Sequence, residues 1–226
     1  MPNTFDVTIN GKTYSGRYVW SEKEWYDCEP QHFYKCDLGC ELLNFFISNN
    51  KLVDFTFDQD NCIKKMLTDE VLTEQEAEAK ARTFLSQYCD ISKYKVIDKS
   101  CSSYKNVTLR EFKFEKRING YESYDWVSVR LCQSSIIGMD SHNLGLYTEE
   151  TSPDFDRGKL ESELSSIMTA YMEKEGLSLS DYTDKSFGIS TIRYVQRENE
   201  KWELFVIFSA GLDYYFLVEV ENYFGI

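Results

Sequence analysis

Four residues with metal-binding side chains stand at even intervals near the start of the chain: Cys28, His32, Cys36 and Cys40. Thiolate sulfur and imidazole nitrogen suit a tetrahedral zinc ion, and on a helix a four-residue interval would put all four on one face. The spacing is not C-x-x-C, however, and Glu29, Pro30, Gln31 and Gly39 oppose a helix there. The competing reading is a disulfide or free thiols in an irregular loop. A second metal candidate, Asp58-Gln59-Asp60-Asn61, offers hard oxygens for Ca²⁺ but lacks the glycine and distal glutamate of an EF-hand loop.

Covalent catalysis has little to work with. A cysteine nucleophile needs a base to make thiolate, and the chain holds two histidines, His32 and His142. His142 lies in Asp140-Ser141-His142-Asn143, which reads as a loop. The G-x-S-x-G elbow is missing, and so are the G-x-x-x-x-G-K-[ST] and G-x-G-x-x-G phosphate loops. The expectation is therefore no enzyme and no cofactor. A hydrolase with an unrecognised carboxylate site is the least favoured reading; convergent carboxylates in a pocket, one with a raised pKa, would revive it. Trp20, Trp25, Tyr26, Phe33 and Tyr34 cluster where periodic signals are weak. If exposed, they offer stacking surface for a peptide or glycan; otherwise they form a minor core under a loop.

Composition bounds the partners. The chain has 226 residues, 42% hydrophobic, with 16 Tyr, 15 Phe and 4 Trp, enough for a packed core. Its net charge of −13 disfavours nucleic acid and anionic membrane surfaces. No run approaches the roughly 18–20 apolar residues of a membrane span. The opening Met1-Pro2-Asn3-Thr4-Phe5-Asp6 has neither the charged nor the apolar region of a signal peptide. The protein is thus placed outside the cell or in the envelope if a leader has been removed, and otherwise in the cytoplasm. Seven cysteines, all within the first 132 residues, leave at least one thiol outside any intrachain disulfide.

The elements that would position these residues read as follows. Residues 5–19 form a hairpin about Asn10-Gly11, whose residues suit a type I′ turn. Trp20 to Pro30 is irregular, and a second hairpin turns at Asn49-Asn50. Thr73-Glu74-Gln75-Glu76 is a capping box opening a helix. Strands near 94–101, 106–117 and 122–133 follow, with a phase change at Arg110 and Glu111 that implies a bulge or a strand buried on both faces. Asp140 to Asp154 is the linker. A second helix opens at Asp156 and stops at Gly176. Ala77, Ala81, Phe84, Leu85 and Tyr88 share offsets with Leu160, Leu164, Ile167, Met168 and Tyr171, 83 residues later. The resulting expectation is an α+β fold: a β-rich extension over 1–70, then two repeated units over 71–145 and 154–226, each one helix on an antiparallel sheet.

The stretch from Leu72 to about Met139 resembles a PepSY-type domain. The residues that carry this are Leu72-Thr73-Glu74-Gln75-Glu76-Ala77, then Phe112-Lys113-Phe114-Glu115-Lys116-Arg117-Ile118-Asn119-Gly120-Tyr121 and Trp126-Val127-Ser128-Val129. Asp156 to Tyr223 looks like a weaker copy, an arrangement similar to tandem PepSY-like proteins of bacterial envelopes. The resemblance implies a non-catalytic module that binds a protein or peptide, as an inhibitor or regulator acting in trans. A cytoplasmic structural or immunity-type interaction protein is the alternative.

Overall fold

The computed structural model describes residues 2–23, 29–37, 42–57, 70–104, 106–117, 122–123, 125–144, 157–178, 187–196, 202–210 and 214–219. In chain order its elements are β1 (Thr4–Ile9), β2 (Lys12–Glu22), β3 (Gln31–Asp37), β4 (Leu42–Ser48), β5 (Lys51–Phe57), α1 (Glu74–Leu85), β6 (Lys95–Tyr104), β7 (Val107–Glu115), β8 (Glu122–Ser123), β9 (Trp126–Cys132), β10 (Ser135–His142), α2 (Arg157–Lys174), β11 (Phe187–Gln196), β12 (Trp202–Ala210) and β13 (Tyr214–Glu219). They fall into two units, Met1–Lys116 with Asp125–Thr148, and Arg117–Tyr124 with Glu149–Ile226.

The first unit is a nine-stranded antiparallel sheet in the order β1-β2-β3-β4-β5-β10-β9-β7-β6. Its tight turns follow from local chemistry. Asn10 and Gly11 take φ of 49° and 75°, and Asn49 and Asn50 take 47° and 58°, as type I′ turns require. Alternation then sorts side chains onto two faces. The register aligns Tyr34, Phe45, Phe55, Met139, Val129 and Phe112 in one row across the sheet, and each is at most 1% exposed. Gly16 belongs to this face because the Phe45 ring lies across it; a Cβ there would sit 2.5 Å from the ring.

Helix α1 covers that apolar face. Thr73 caps it, its hydroxyl accepting from the Glu76 amide at 3.3 Å while Glu76 Oε2 accepts from the Thr73 amide at 2.8 Å. Ala77, Ala81, Phe84 and Leu85 are buried. Phe84 packs edge-on against Phe55 at 5.9 Å, and the Arg82 guanidinium lies 4.9 Å over the Phe114 ring. Tyr88 falls just past the helix end and packs on Phe84 at 5.3 Å.

The second unit is smaller: a four-stranded sheet in the order β13-β12-β11-β8, with β8 parallel to β11. Helix α2 buries Ile167, Met168 and Met172. It ends at Gly176, whose φ of 66° lets the Leu177 amide reach back to the Met172 carbonyl at 2.8 Å.

The expectation of an α+β fold with two repeated helix-on-sheet units and a separate N-terminal extension is therefore wrong. The protein is predominantly antiparallel sheet with two helices. The first 57 residues are not an appendage, because the edge of β5 pairs with β10 and draws the early hairpins into one sheet with β6, β7, β9 and β10. The shared helix offsets report only that each helix buries one face, which any amphipathic helix does. Three local expectations also change. His32 to Cys36 lies in a strand, not an irregular loop. Asp140 and His142 belong to β10 rather than to a linker. No register shift occurs at Arg110 or Glu111; the irregularities in the β6–β7 and β9–β10 pairings fall at Ile97 and Ile137. The Asp156 cap and the Asn119-Gly120 turn lie outside the described residues.

Candidate functional site

The face of the nine-stranded sheet opposite α1 carries the unit's polar chemistry. One register row reads Trp20, Phe33, Phe46 and Asp54. One step beyond the Met139–Phe55 pair, the same register sets Asp140 opposite Asp54, and the row continues through Ser128 to Lys113. The adjacent row carries Asn44, Thr56, Gly138, Arg130, Glu111 and Ser100.

The register sets the Asp54 and Asp140 carboxyls opposite one another across β5 and β10, close enough to share a hydrogen bond. Two carboxyl groups can do so only while one of them holds a proton. Burial, then the Asp140 charge, push Asp54 up to about 7, while the Arg130 guanidinium pulls the other way. Arg130 Nη2 donates to Thr56 Oγ1 at 2.6 Å. It reaches across Gly138, where a Cβ would come within 2.7 Å of the guanidinium. The Ser128 hydroxyl donates to Glu111 Oε1.

Beside these groups is a pocket of about 570 Å³, lined by Ser100, Ser102 and Tyr104 from β6, Leu109 and Glu111 from β7, Arg130 from β9 and Thr56 from β5. Its wall β6 ends the sheet, and eight of its ten positions are exposed, Cys101 among them. Such an edge presents unpaired backbone donors and acceptors.

The sequence-derived candidates separate. Trp20 and Phe33 do come together, with ring centroids 5.3 Å apart, and Phe46 completes the group at 5.0 Å from Phe33 and 5.7 Å from Trp20. Trp20 is 40% exposed. Tyr34 belongs to the other face; it is fully buried and stacks on Phe45 at 5.4 Å. Trp25 and Tyr26 lie outside the described residues.

Of the proposed zinc ligands, Cys28 and Cys40 also lie outside. His32 and Cys36 sit four residues apart on β3, about 13 Å along an extended strand, too far for one ion. His32 is a core histidine, held below its usual pKa by burial, with Nδ1 2.7 Å from the Ser21 hydroxyl. No cluster of three or more His, Cys, Asp or Glu suited to a metal occurs among the described residues, and Asp58 and Asp60 are not among them. Burial, then Asp125 and Asp90, push the Cys89 thiol up to about 12, which removes it as a nucleophile. His142 packs on Trp126 at 4.6 Å.

Asp54, Asp140, Arg130 and Phe46 were missed by sequence reasoning. Asp54 and Asp140 are 86 residues apart in the chain, and only the β5–β10 register brings them together. Phe46 stands beside Phe45 in a strand without alternation, so nothing local says which ring faces outward.

No helix among the described residues is long and apolar enough to cross a membrane. Of the residues that carry the PepSY resemblance, the capping box and residues 112–117 and 126–129 are described, whereas 118–121 are not. No family model matches the chain, and no curated protein matches it in sequence. Among solved structures it is similar to the Bacillus megaterium YpeB C-terminal domain, at 11% identity and a TM-score of 0.43 over 90% of this chain and 88% of that one. A likeness at that score decides neither activity nor partner.

Proposed function

We propose that the protein is a non-catalytic binding module that takes an extended peptide along β6. The observation that supports this best is an exposed ten-residue edge strand beside the 570 Å³ pocket. A peptide pairing with β6 gains main-chain hydrogen bonds, and the pocket beside Ser100, Ser102 and Tyr104 receives its alternate side chains. The irregularity at Ile97 interrupts the ladder in the first half of the strand and leaves Asp98 to Tyr104 as the regular run. The finer reading, an inhibitor-like or regulatory protein of the cell envelope, follows from the PepSY resemblance alone.

The test is selection of binders from a random-peptide display library on the whole protein. Selected peptides are then remade with backbone N-methyl groups at successive positions. Strand addition expects binding to collapse on alternate methylations, because alternate amides face the edge. Equal tolerance of methylation at every position would sink it.

A second reading has one observation in its favour. The Asp54–Asp140 pair, with its raised pKa, is the arrangement an acid–base hydrolase uses. It expects hydrolysis of some member of a chromogenic ester, glycoside and peptide panel, lost in both Asp54→Asn and Asp140→Asn. Activity that persists in either variant, or none at all, removes it.

A further inference from the structure

The pairing of β5 with β10 is the thinnest joint in the nine-stranded sheet. It has two residue pairs, whereas each other ladder has between five and nine. It nevertheless joins β1–β5 to β10, β9, β7 and β6, the strands of this sheet that follow α1. On the apolar side α1 spans it, with Phe84 on Phe55 and Arg82 over Phe114. On the polar side the crossings are Arg130 to Thr56 and Asp54 to Asp140. The Ser141 hydroxyl also donates to the Val53 carbonyl, and Asn10 Nδ2 donates to the Ile136 carbonyl at 2.8 Å.

We propose that Asp54 and Asp140 form a proton-operated clasp on this joint. With one proton between them, the carboxyls hydrogen-bond and tie β5 to β10. With both ionised, they face each other as like charges across paired strands, which destabilises a sheet. The polar side of the joint then loosens while α1 still holds the apolar side.

The charged and titratable groups around the clasp fix its sense. From β9, Arg130 favours ionisation and so lowers the pH at which the clasp opens. From β7, Lys113 stands in the same row and Glu111 in the neighbouring one, with Arg130 between Glu111 and the pair, and from β6 Asp98 stands beyond Lys113. From β10, His142 lies two residues on, against Trp126. From β4, Phe46 and Asn44 bring no charge. The apolar wall at Phe46 leaves burial as the dominant influence, and the proton is held up to about neutral pH. The clasp is thus closed in acid and loosens as pH rises to neutrality.

Amide hydrogen exchange on the whole chain, read by mass spectrometry and corrected for intrinsic rates, reports on the joint directly. Raising the pH from about 5.5 to about 8.5 is expected to lower protection in residues 51–57 and 135–142 by about tenfold, with residues 4–22 unchanged. Asp54→Asn and Asp140→Asn each keep a hydrogen-bonding group and remove a charge, so each is expected to abolish the step. Equal protection at both pH values in the wild-type protein, or an undiminished step in both variants, overturns the clasp. If either variant fails to fold, a ¹³C carboxyl titration of the wild-type protein decides. One carboxyl titrating near the midpoint of the exchange step supports the proposal, and two titrating near the ordinary value of about 4 overturn it.

Discussion

Phe55 and Asp54 are neighbours in β5 and face opposite sides of one sheet. Phe55 sits in a dry row from Tyr34 to Phe112 and under Phe84 of α1. Asp54 sits in a row that runs from three aromatic rings into a carboxyl pair and a lysine. The apolar side holds the β5–β10 joint by burial, which has no proton to lose. The polar side holds it by hydrogen bonds whose strength depends on a proton and on one arginine. A thin joint can thus be permanent on one face and conditional on the other.

The largest way to break the comparison is Phe55→Ala. It removes a fully buried ring under α1 and is expected to cost about 3–5 kcal/mol in urea denaturation. A loss below about 1 kcal/mol would mean that the apolar side does not hold the joint.

Next comes pH. The folded-state pKa of Asp54, about 7, lies above the ordinary carboxyl value. The folded protein therefore binds this proton more tightly than the unfolded chain does. Stability from this group is complete below about pH 4, falls as pH rises to about 7 and is level above that, a loss on the order of 1–2 kcal/mol after solvent screening. Asp54→Asn should flatten that window in thermal melts; an unchanged slope would assign it elsewhere.

Thr73→Ala strips the capping box from α1 and is expected to cost about 1 kcal/mol, the same at pH 5 and pH 8 because it acts on the apolar side.

The smallest expected change is the most specific. Gly138→Ala pushes the Arg130 guanidinium off Thr56, for about 0.5 kcal/mol. It also removes the cation that lowers the Asp54 pKa, so Asp54 should titrate higher by carboxyl NMR. A titration that moves down, or not at all, would break the link between arginine and clasp.

What the chain revealed of itself divides along similar lines. The turns at Asn10-Gly11 and Asn49-Asn50, the Thr73 cap and the Gly176 stop were legible, because each is set by residues within a few positions. The nine-stranded sheet was not, because a helix stripe reports that one face is buried and is silent on what buries it. Strand β3 was hidden by the glutamate and proline before it and by the four-residue interval of His32 and Cys36, which also fits a helix. Within the candidate site, Trp20 and Phe33 could be picked as an aromatic cluster. Phe46, which joins them through cross-strand register, could not, and neither could the pairing of Asp54 with Asp140.

The sheet order has a consequence for biosynthesis. Strands β1 to β5 pair in sequence, so this meander can assemble as soon as it leaves the ribosome. Its last strand, however, waits for β10, the final strand of the unit to be made. An arrested chain ending between Phe57 and Ser135 keeps the backbone of β5 bare, without α1 packed across a finished sheet. Bare edges of this kind recruit other strands. Self-association through residues 51–57 is the expected fate of such a fragment, and the joint that responds to protons in the finished protein is also the last to close during its synthesis.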